Sequence, residues 1–167
     1  LITSKDCPSF GGVYKLAAES DGNGAFIPKI KLSNNPSKVT NPGIKKIIRF
    51  YDKSTGKIKA DLICLEEEHY SQDERIKLFD HMAKWKKMIL KPGEYTIREL
   101  LVPVFINGEC VYKSPSVKDI RSYCQKELET LWDEHRRLAN PHIVPVDLSD
   151  KLIDLKNKLI DEMSETE

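Results

Sequence analysis

Nine side chains in the first third of the chain have the types and spacing to hold a polyanion: Lys15, Lys29, Lys31, Ser33, Lys38, Thr40, Lys45, Lys46 and Arg49. Lys29 and Lys31 project to one face of an extended segment because strand side chains alternate with period two, and Ser33 continues that face. Cations and hydroxyls along a strand end and its following loop suit phosphate groups, since each charge-assisted hydrogen bond offsets part of the phosphate's desolvation. A solvated strand face covered by ordinary lysines explains the same residues equally well.

Other constellations carry less. The chain has no Gly-x-Gly-x-x-Gly or Walker-type loop, and Gly11-Gly12 by itself reads as a tight turn into the next strand. His69, His81, His135 and His142 form no i, i+4 pair, and His135 falls on an apolar helical stripe, where a packed, hydrogen-bonded histidine is expected. Glu66-Glu67-Glu68 reads as a solvated loop, because adjacent carboxylates point in different directions and do not converge on a cation. Glu134-His135-Arg136-Arg137 reads as a helix end whose cations favour the dipole, or as a bidentate Arg136 or Arg137 contact to a carboxylate of a neighbouring domain. Cys7, Cys64, Cys110 and Cys124 lie far apart without a C-x-x-C pair, which predicts reduced thiols, no metal site and a cytoplasmic setting.

The elements that must position these residues come from a chain of 167 residues, enough to bury roughly two-thirds of its unfolded surface. No apolar run approaches the ~20 residues that a bilayer requires. Residues 1–65 carry eleven Lys and Arg against five Asp and Glu, while the remainder carries sixteen against twenty-one, so any anion-facing surface belongs to the front. The opening Leu1-Ile2-Thr3-Ser4-Lys5, with neither Met nor an apolar signal core, reads as the interior of something longer.

Two alternating segments, 13–19 and 26–32, flank Asp21-Gly22-Asn23-Gly24 and predict a hairpin. Residues 44–51 and 58–65 predict a second, with Gly56 at the left-handed turn position, and 100–106 and 109–113 a third around Asn107-Gly108. In the acidic and then basic stretch 66–91, Ile76, Phe79, Met82 and Trp85 recur at spacings of three and predict a short helix or an irregular arm. From Ser116, Val117, Ile120, Cys124, Leu128, Leu131, His135 and Leu138 predict one long amphipathic helix ending before Pro141. Ser149 caps a last helix with Leu152, Leu155, Leu159 and Met163 on its apolar stripe, ahead of a frayed polar tail.

Strands first and helices last predict an α+β fold, antiparallel hairpins followed by two C-terminal helices, in three parts: 1–65, 66–115 and 116–167. Several motifs in order carry a resemblance: Leu1 to Asp6, Gly11-Gly12-Val13-Tyr14-Lys15-Leu16, Lys29 to Ser33, and Lys38-Val39-Thr40-Asn41-Pro42-Gly43. Then come Arg49-Phe50-Tyr51-Asp52, Glu134-His135-Arg136-Arg137-Leu138 and Val146-Asp147-Leu148-Ser149. Together they resemble the C-terminal part of the bacterial nicotinate phosphoribosyltransferase family, over nearly the whole chain.

The resemblance implies that the chain completes the flanking region of a larger α/β-barrel enzyme. That enzyme joins nicotinate to 5-phosphoribosyl 1-diphosphate, giving nicotinate mononucleotide and diphosphate with ATP hydrolysis and Mg²⁺, in NAD salvage. It implies partners as well: the N-terminal and barrel domains of the same enzyme, and a homodimer. It places Lys15, Lys31, Ser33 and, more weakly, Lys38 near phosphate. The family's glycine-rich phosphate turn and its barrel His, Arg and Asp residues have no counterpart here, so no catalytic residue, no cofactor and no turnover are expected of the chain alone. Two rivals remain: a basic nucleic-acid or phosphate-binding module, disfavoured because aromatic and basic residues are not interleaved, and a dimerisation domain using Leu128, Leu131, His135 and Leu138.

Overall fold

The computed structural model describes residues 14–164 except 82 and 84. Cys7, Gly11, Gly12, Met82 and the last three residues therefore lie outside the described residues. The chain forms two compact units, one of residues 1–44 with 155–167, the other of residues 45–154.

The larger unit is built on alternation. β3 (Lys45–Asp52) and β4 (Ile58–Leu65) form the predicted antiparallel hairpin, and β7 (Tyr95–Glu99) pairs antiparallel with β3. β10 (Val146–Leu148) runs parallel to β4, giving the order β10-β4-β3-β7. The turn between β3 and β4 closes as Gly56 takes φ 68° and Asp52 Oδ1 accepts the amides of Ser54 and Thr55, both at 3.0 Å. Ile48 and Phe50 on β3 and Ala60, Leu62 and Cys64 on β4 are buried in one core cluster, as period two requires. Burial pushes the Cys64 thiol up to about 11.

Ile76, Leu78, Leu90 and Tyr95 complete that cluster, and three of them correct the expected helix or arm. Residues 76–90 instead form a hairpin, β5 (Ile76–Phe79) with β6 (Lys87–Leu90). The alternation of Ile76 and Leu78, both buried, outweighs the spacing of three, which leaves Trp85 78% exposed. Tyr95 packs edge-on against Phe50, with centroids 5.7 Å apart, and its hydroxyl donates to the carbonyls of Ser71 and Glu74.

The third hairpin exists but is short: β8 (Phe105–Ile106) and β9 (Glu109–Cys110), with Asn107 and Gly108 at φ 51° and 83°. The expected long helix is two: α1 (Val117–Glu129), capped by Ser116, and a single turn, α2 (Asp133–Arg136). Tertiary hydrogen bonds cause the break. Ile58 N–H donates to the Thr130 carbonyl at 2.8 Å, Trp132 Nε1–H donates to the Ile58 carbonyl at 2.7 Å, and Lys57 Nζ donates to the carbonyls of Glu129 and Leu131. Carbonyls held by the β3–β4 turn cannot also serve a continuing helix. Leu128, Leu131, His135 and Leu138 therefore do not share one continuous helical stripe.

In the smaller unit β1 (Ala18–Ser20) pairs with β2 (Phe26–Pro28), three residues each. Asp21 Oδ1 accepts the amides of Asn23 and Ala25 and fixes their turn. α3 (Asp150–Ser164) begins in the larger unit, where predicted, with the Leu152 amide donating to Ser149 Oγ at 3.2 Å, and its residues from 155 on belong to the smaller one. Among the described residues no helix is long and apolar enough to cross a membrane.

Candidate functional site

The strand expected to carry Lys29, Lys31 and Ser33 ends at Pro28, so these three sit on the irregular segment after β2. That segment is nonetheless fixed. Lys29 N–H donates to the Ala17 carbonyl at 2.8 Å, the Lys31 amide donates to Thr40 Oγ1 at 3.3 Å, and the Thr40 amide returns to the Lys31 carbonyl at 3.3 Å. Asn35 then caps a 3-10 turn, Pro36–Lys38, by accepting the Ser37 amide, which carries Lys38 round to face the same space.

The result is an open cleft of about 760 Å³ lined by Tyr14, Lys15, Leu16, residues 29–33 and Lys38. Five of the nine sequence-predicted residues, Lys15, Lys29, Lys31, Ser33 and Lys38, thus line one cleft. Lys15 Nζ donates to the Lys38 carbonyl, which fastens one wall to the other. Lys29 pairs with Glu19 at 3.1 Å and is the only one of the four lysines with a described ion pair. Among the described residues no acidic side chain lines the cleft. Lys15, Lys31 and Lys38, with Lys29 already balanced by Glu19, make a positive field suited to a phosphorylated ligand, and the volume lies within the range of small-molecule sites.

Thr40 does not line the cleft, and Lys45, Lys46 and Arg49 belong to the larger unit. Thr40 is buried and spends its hydroxyl on the Lys31 amide. Lys46 pairs with Glu99 at 3.2 Å, and Arg49 gives two 2.8 Å hydrogen bonds to Asp61 on the neighbouring strand. Lys156, which the sequence did not single out, donates to Asn41 Oδ1 at 2.9 Å. Burial, and secondarily the charge of Lys15, holds its pKa below the ordinary lysine range. It was missed because it lies 115 residues from its partner.

Glu68 corrects the solvated-loop reading. Glu66 and Glu67 are exposed, but Glu68 is buried and accepts from the Leu65 amide at 2.8 Å, the Tyr70 hydroxyl at 2.9 Å and Ser149 Oγ at 2.5 Å. Burial, then Glu68, raises the Tyr70 pKa well above the usual phenol range. His135 is hydrogen-bonded as expected, with Nδ1 2.8 Å from the His142 carbonyl, but it is only half-buried and lies on the one-turn α2 rather than on the packed stripe of a long helix. Among the described residues no three His, Cys, Asp or Glu side chains converge on a cation site.

Comparisons with known proteins agree on one family. A profile described as nicotinate phosphoribosyltransferase C-terminal domain matches residues 44–156. The Bacillus subtilis nicotinate phosphoribosyltransferase is 33% identical over 99% of this chain and 35% of its own length. The human protein of that name is 32% identical over 95% of this chain and 28% of its own. A crystal structure of human nicotinic acid phosphoribosyltransferase superposes with a TM-score of 0.62 at 28% identity, over 71% of this chain and 23% of that one. The chain thus spans about a third or less of the length of the relatives it matches.

Proposed function

The chain belongs to the nicotinate phosphoribosyltransferase family, and from that premise we propose that it works as the C-terminal domain of an enzyme forming nicotinate mononucleotide and diphosphate from nicotinate and 5-phosphoribosyl 1-diphosphate. The observation that carries the site assignment is the lysine cleft. Lys15, Lys31, Ser33 and Lys38 converge on one open space that no carboxylate lines among the described residues.

The chemistry asks for two things such a cleft can supply. The ribosyl 5-phosphate must be held, and negative charge grows on the diphosphate as the anomeric carbon takes on oxocarbenium character. Lysine ammonium groups favour both anions, and most strongly the one whose charge increases along the reaction. The Ser33 hydroxyl already accepts from the Asn35 amide at 3.3 Å, which leaves its proton to donate to a phosphoryl oxygen. Lys15, held on the Lys38 carbonyl, is positioned before any ligand arrives.

Among the described residues no three His, Cys, Asp or Glu side chains converge, and no step is routed through Mg²⁺. The barrel and N-terminal domains of the same polypeptide supply the catalytic groups, ATP hydrolysis is coupled there, and the assembly is a cytoplasmic homodimer. In the complete enzyme, Lys15→Ala, Lys31→Ala, Ser33→Ala and Lys38→Ala should raise the KM for phosphoribosyl diphosphate or for ATP by roughly tenfold for each lysine, the loss expected for one charge-assisted contact. Unchanged Michaelis constants for both substrates remove the assignment. Nicotinate mononucleotide formation by the purified 167-residue chain would overturn the domain role itself.

A further inference from the structure

One carboxylate of the larger unit is buried without a partner. Asp147, on β10, is 7% exposed, and its side chain makes no hydrogen bond or ion pair with any described residue. Buried charges in folded proteins are paired or give up their charge. Burial, then the charge of Asp80, disfavours the ionised form of Asp147, and His81 favours it, so both residues lie within electrostatic reach of the carboxyl. Among the described buried side-chain atoms only the Tyr51 hydroxyl is both sealed from solvent and without a hydrogen bond. The unpaired oxygens of Asp147 therefore still reach solvent, and the opening they reach is a cleft of about 610 Å³ that Asp147 lines with Asp80 and His81.

The cleft is set before anything enters it. The Asp80 amide donates to the Lys86 carbonyl at 3.1 Å, and Asp80 Oδ1 accepts the Ala83 amide at 3.2 Å. The Asp61 amide donates to the Pro145 carbonyl at 2.9 Å, and β10 is held along β4. Walls already hydrogen-bonded lose little freedom when the space between them is filled. Met88, Ile143, Val144, Pro145 and Val146 give the cleft an apolar side.

The geometry points to a binding site for a small organic cation with a guanidinium or amidinium head and an apolar body, its head on the Asp147 carboxylate. A planar head of this kind is more weakly hydrated than an ammonium and presents paired N–H donors that match a carboxylate, so it is the cation least costly to bring to a buried acid. A bare metal ion is poorly served, because among the described residues no three His, Cys, Asp or Glu side chains converge. The apolar side covers the body of the ligand, and the volume lies in the small-molecule range. Lys86 and Lys87 also line the cleft but are exposed, and solvated ammonium groups gain little by leaving water for a buried partner. The site takes a cation, in a different unit from the lysine cleft, and does not depend on the phosphate reading above.

The test is a calorimetric titration, at pH 7, of the protein translated from the complete reading frame, with phenylguanidine and with phenylurea, its uncharged counterpart of the same shape. Phenylguanidine should bind with a Kd of roughly 1 mM or tighter, and phenylurea at least about tenfold more weakly. Asp147→Asn keeps the shape of the side chain and should weaken phenylguanidine about tenfold or more, the loss expected for a charge-assisted contact. The Tm of that variant at pH 7 should not fall, which separates lost recognition from lost structure. No saturable binding of phenylguanidine, equal binding of phenylurea, or equal binding by Asp147→Asn overturns the proposal. So does a lower Tm for Asp147→Asn, since the carboxylate then already has its partner within the protein.

Discussion

Arg98 on β7 and Glu127 on α1 are joined by two parallel hydrogen bonds of 2.7 and 2.6 Å, and the pair fixes a helix that otherwise buries none of its residues. The sheet explains the need for it. Arg98 and Arg49 face each other directly across β7 and β3, and like charges so placed repel. Asp61, opposite Arg49 on β4, answers one of them with a bidentate contact, and Glu127 answers the other while lying 3.6 Å from Arg49. Four charges from four elements thus balance on the sheet face opposite the core.

Glu127→Ala should therefore cost about 2 kcal/mol, between the limits for exposed and buried pairs, and reduce the helical signal of α1. Arg98 holds the Glu127 carboxyl below its ordinary value of 4.5. A lowered folded pKa means that this contribution is fully present above the unfolded value and is lost as pH falls through the folded one. Urea titrations of the wild type and Glu127→Gln should converge in acid and separate above pH 4.5. Parallel curves across that range would refute the linkage.

The β3–β4 hairpin was legible because Ile48, Phe50, Ala60, Leu62 and Cys64 alternate and Gly56 marks the turn, all within 21 residues of local sequence. Ser149 was legible as a cap for the same local reason. The end of α1 was not, since Trp132 and Lys57 terminate it through partners more than seventy residues away. Lys29 and Lys31 were singled out through a strand alternation that the structure does not carry, since β2 stops before them, and Lys15 and Lys38 only as cations near that strand and through the family resemblance. They converge because the Thr40 and Asn35 hydrogen bonds fold the segment back, which no periodicity encodes.

Glu68 ties the end of β4 to the start of α3, because Oε1 accepts both the Leu65 amide and the hydroxyl of the capping Ser149. Glu68→Ala strands an amide and two hydroxyls in a buried site, each with a desolvation penalty of about 1 kcal/mol or more, so a total loss of about 3 kcal/mol is expected. Glu68→Gln keeps an acceptor and should lose less. Hydrogen exchange of the Leu152 and Ile153 amides reports the cap directly. An unchanged rate in Glu68→Ala would show that Ser149 caps α3 without help.

Asp147 carries the opposite sign. It is 7% exposed on β10, and burial, with Asp80 adding to it, raises its carboxyl above the ordinary 3.8, while His81 acts against the shift. A raised folded pKa for an acid means that the charged form is the disfavoured one in the folded state. The fold is then relatively favoured below the unfolded value, and the penalty grows as pH rises through the folded value until it is complete. Asp147→Asn removes a charge that gains no described ion pair and keeps the shape of the side chain. The variant should therefore melt higher than the wild type at pH 7 and show no advantage at pH 3. Calorimetry at both pH values decides it: a lower Tm for Asp147→Asn at pH 7 would mean that the carboxylate is stabilised by its surroundings, against the burial that dominates its site.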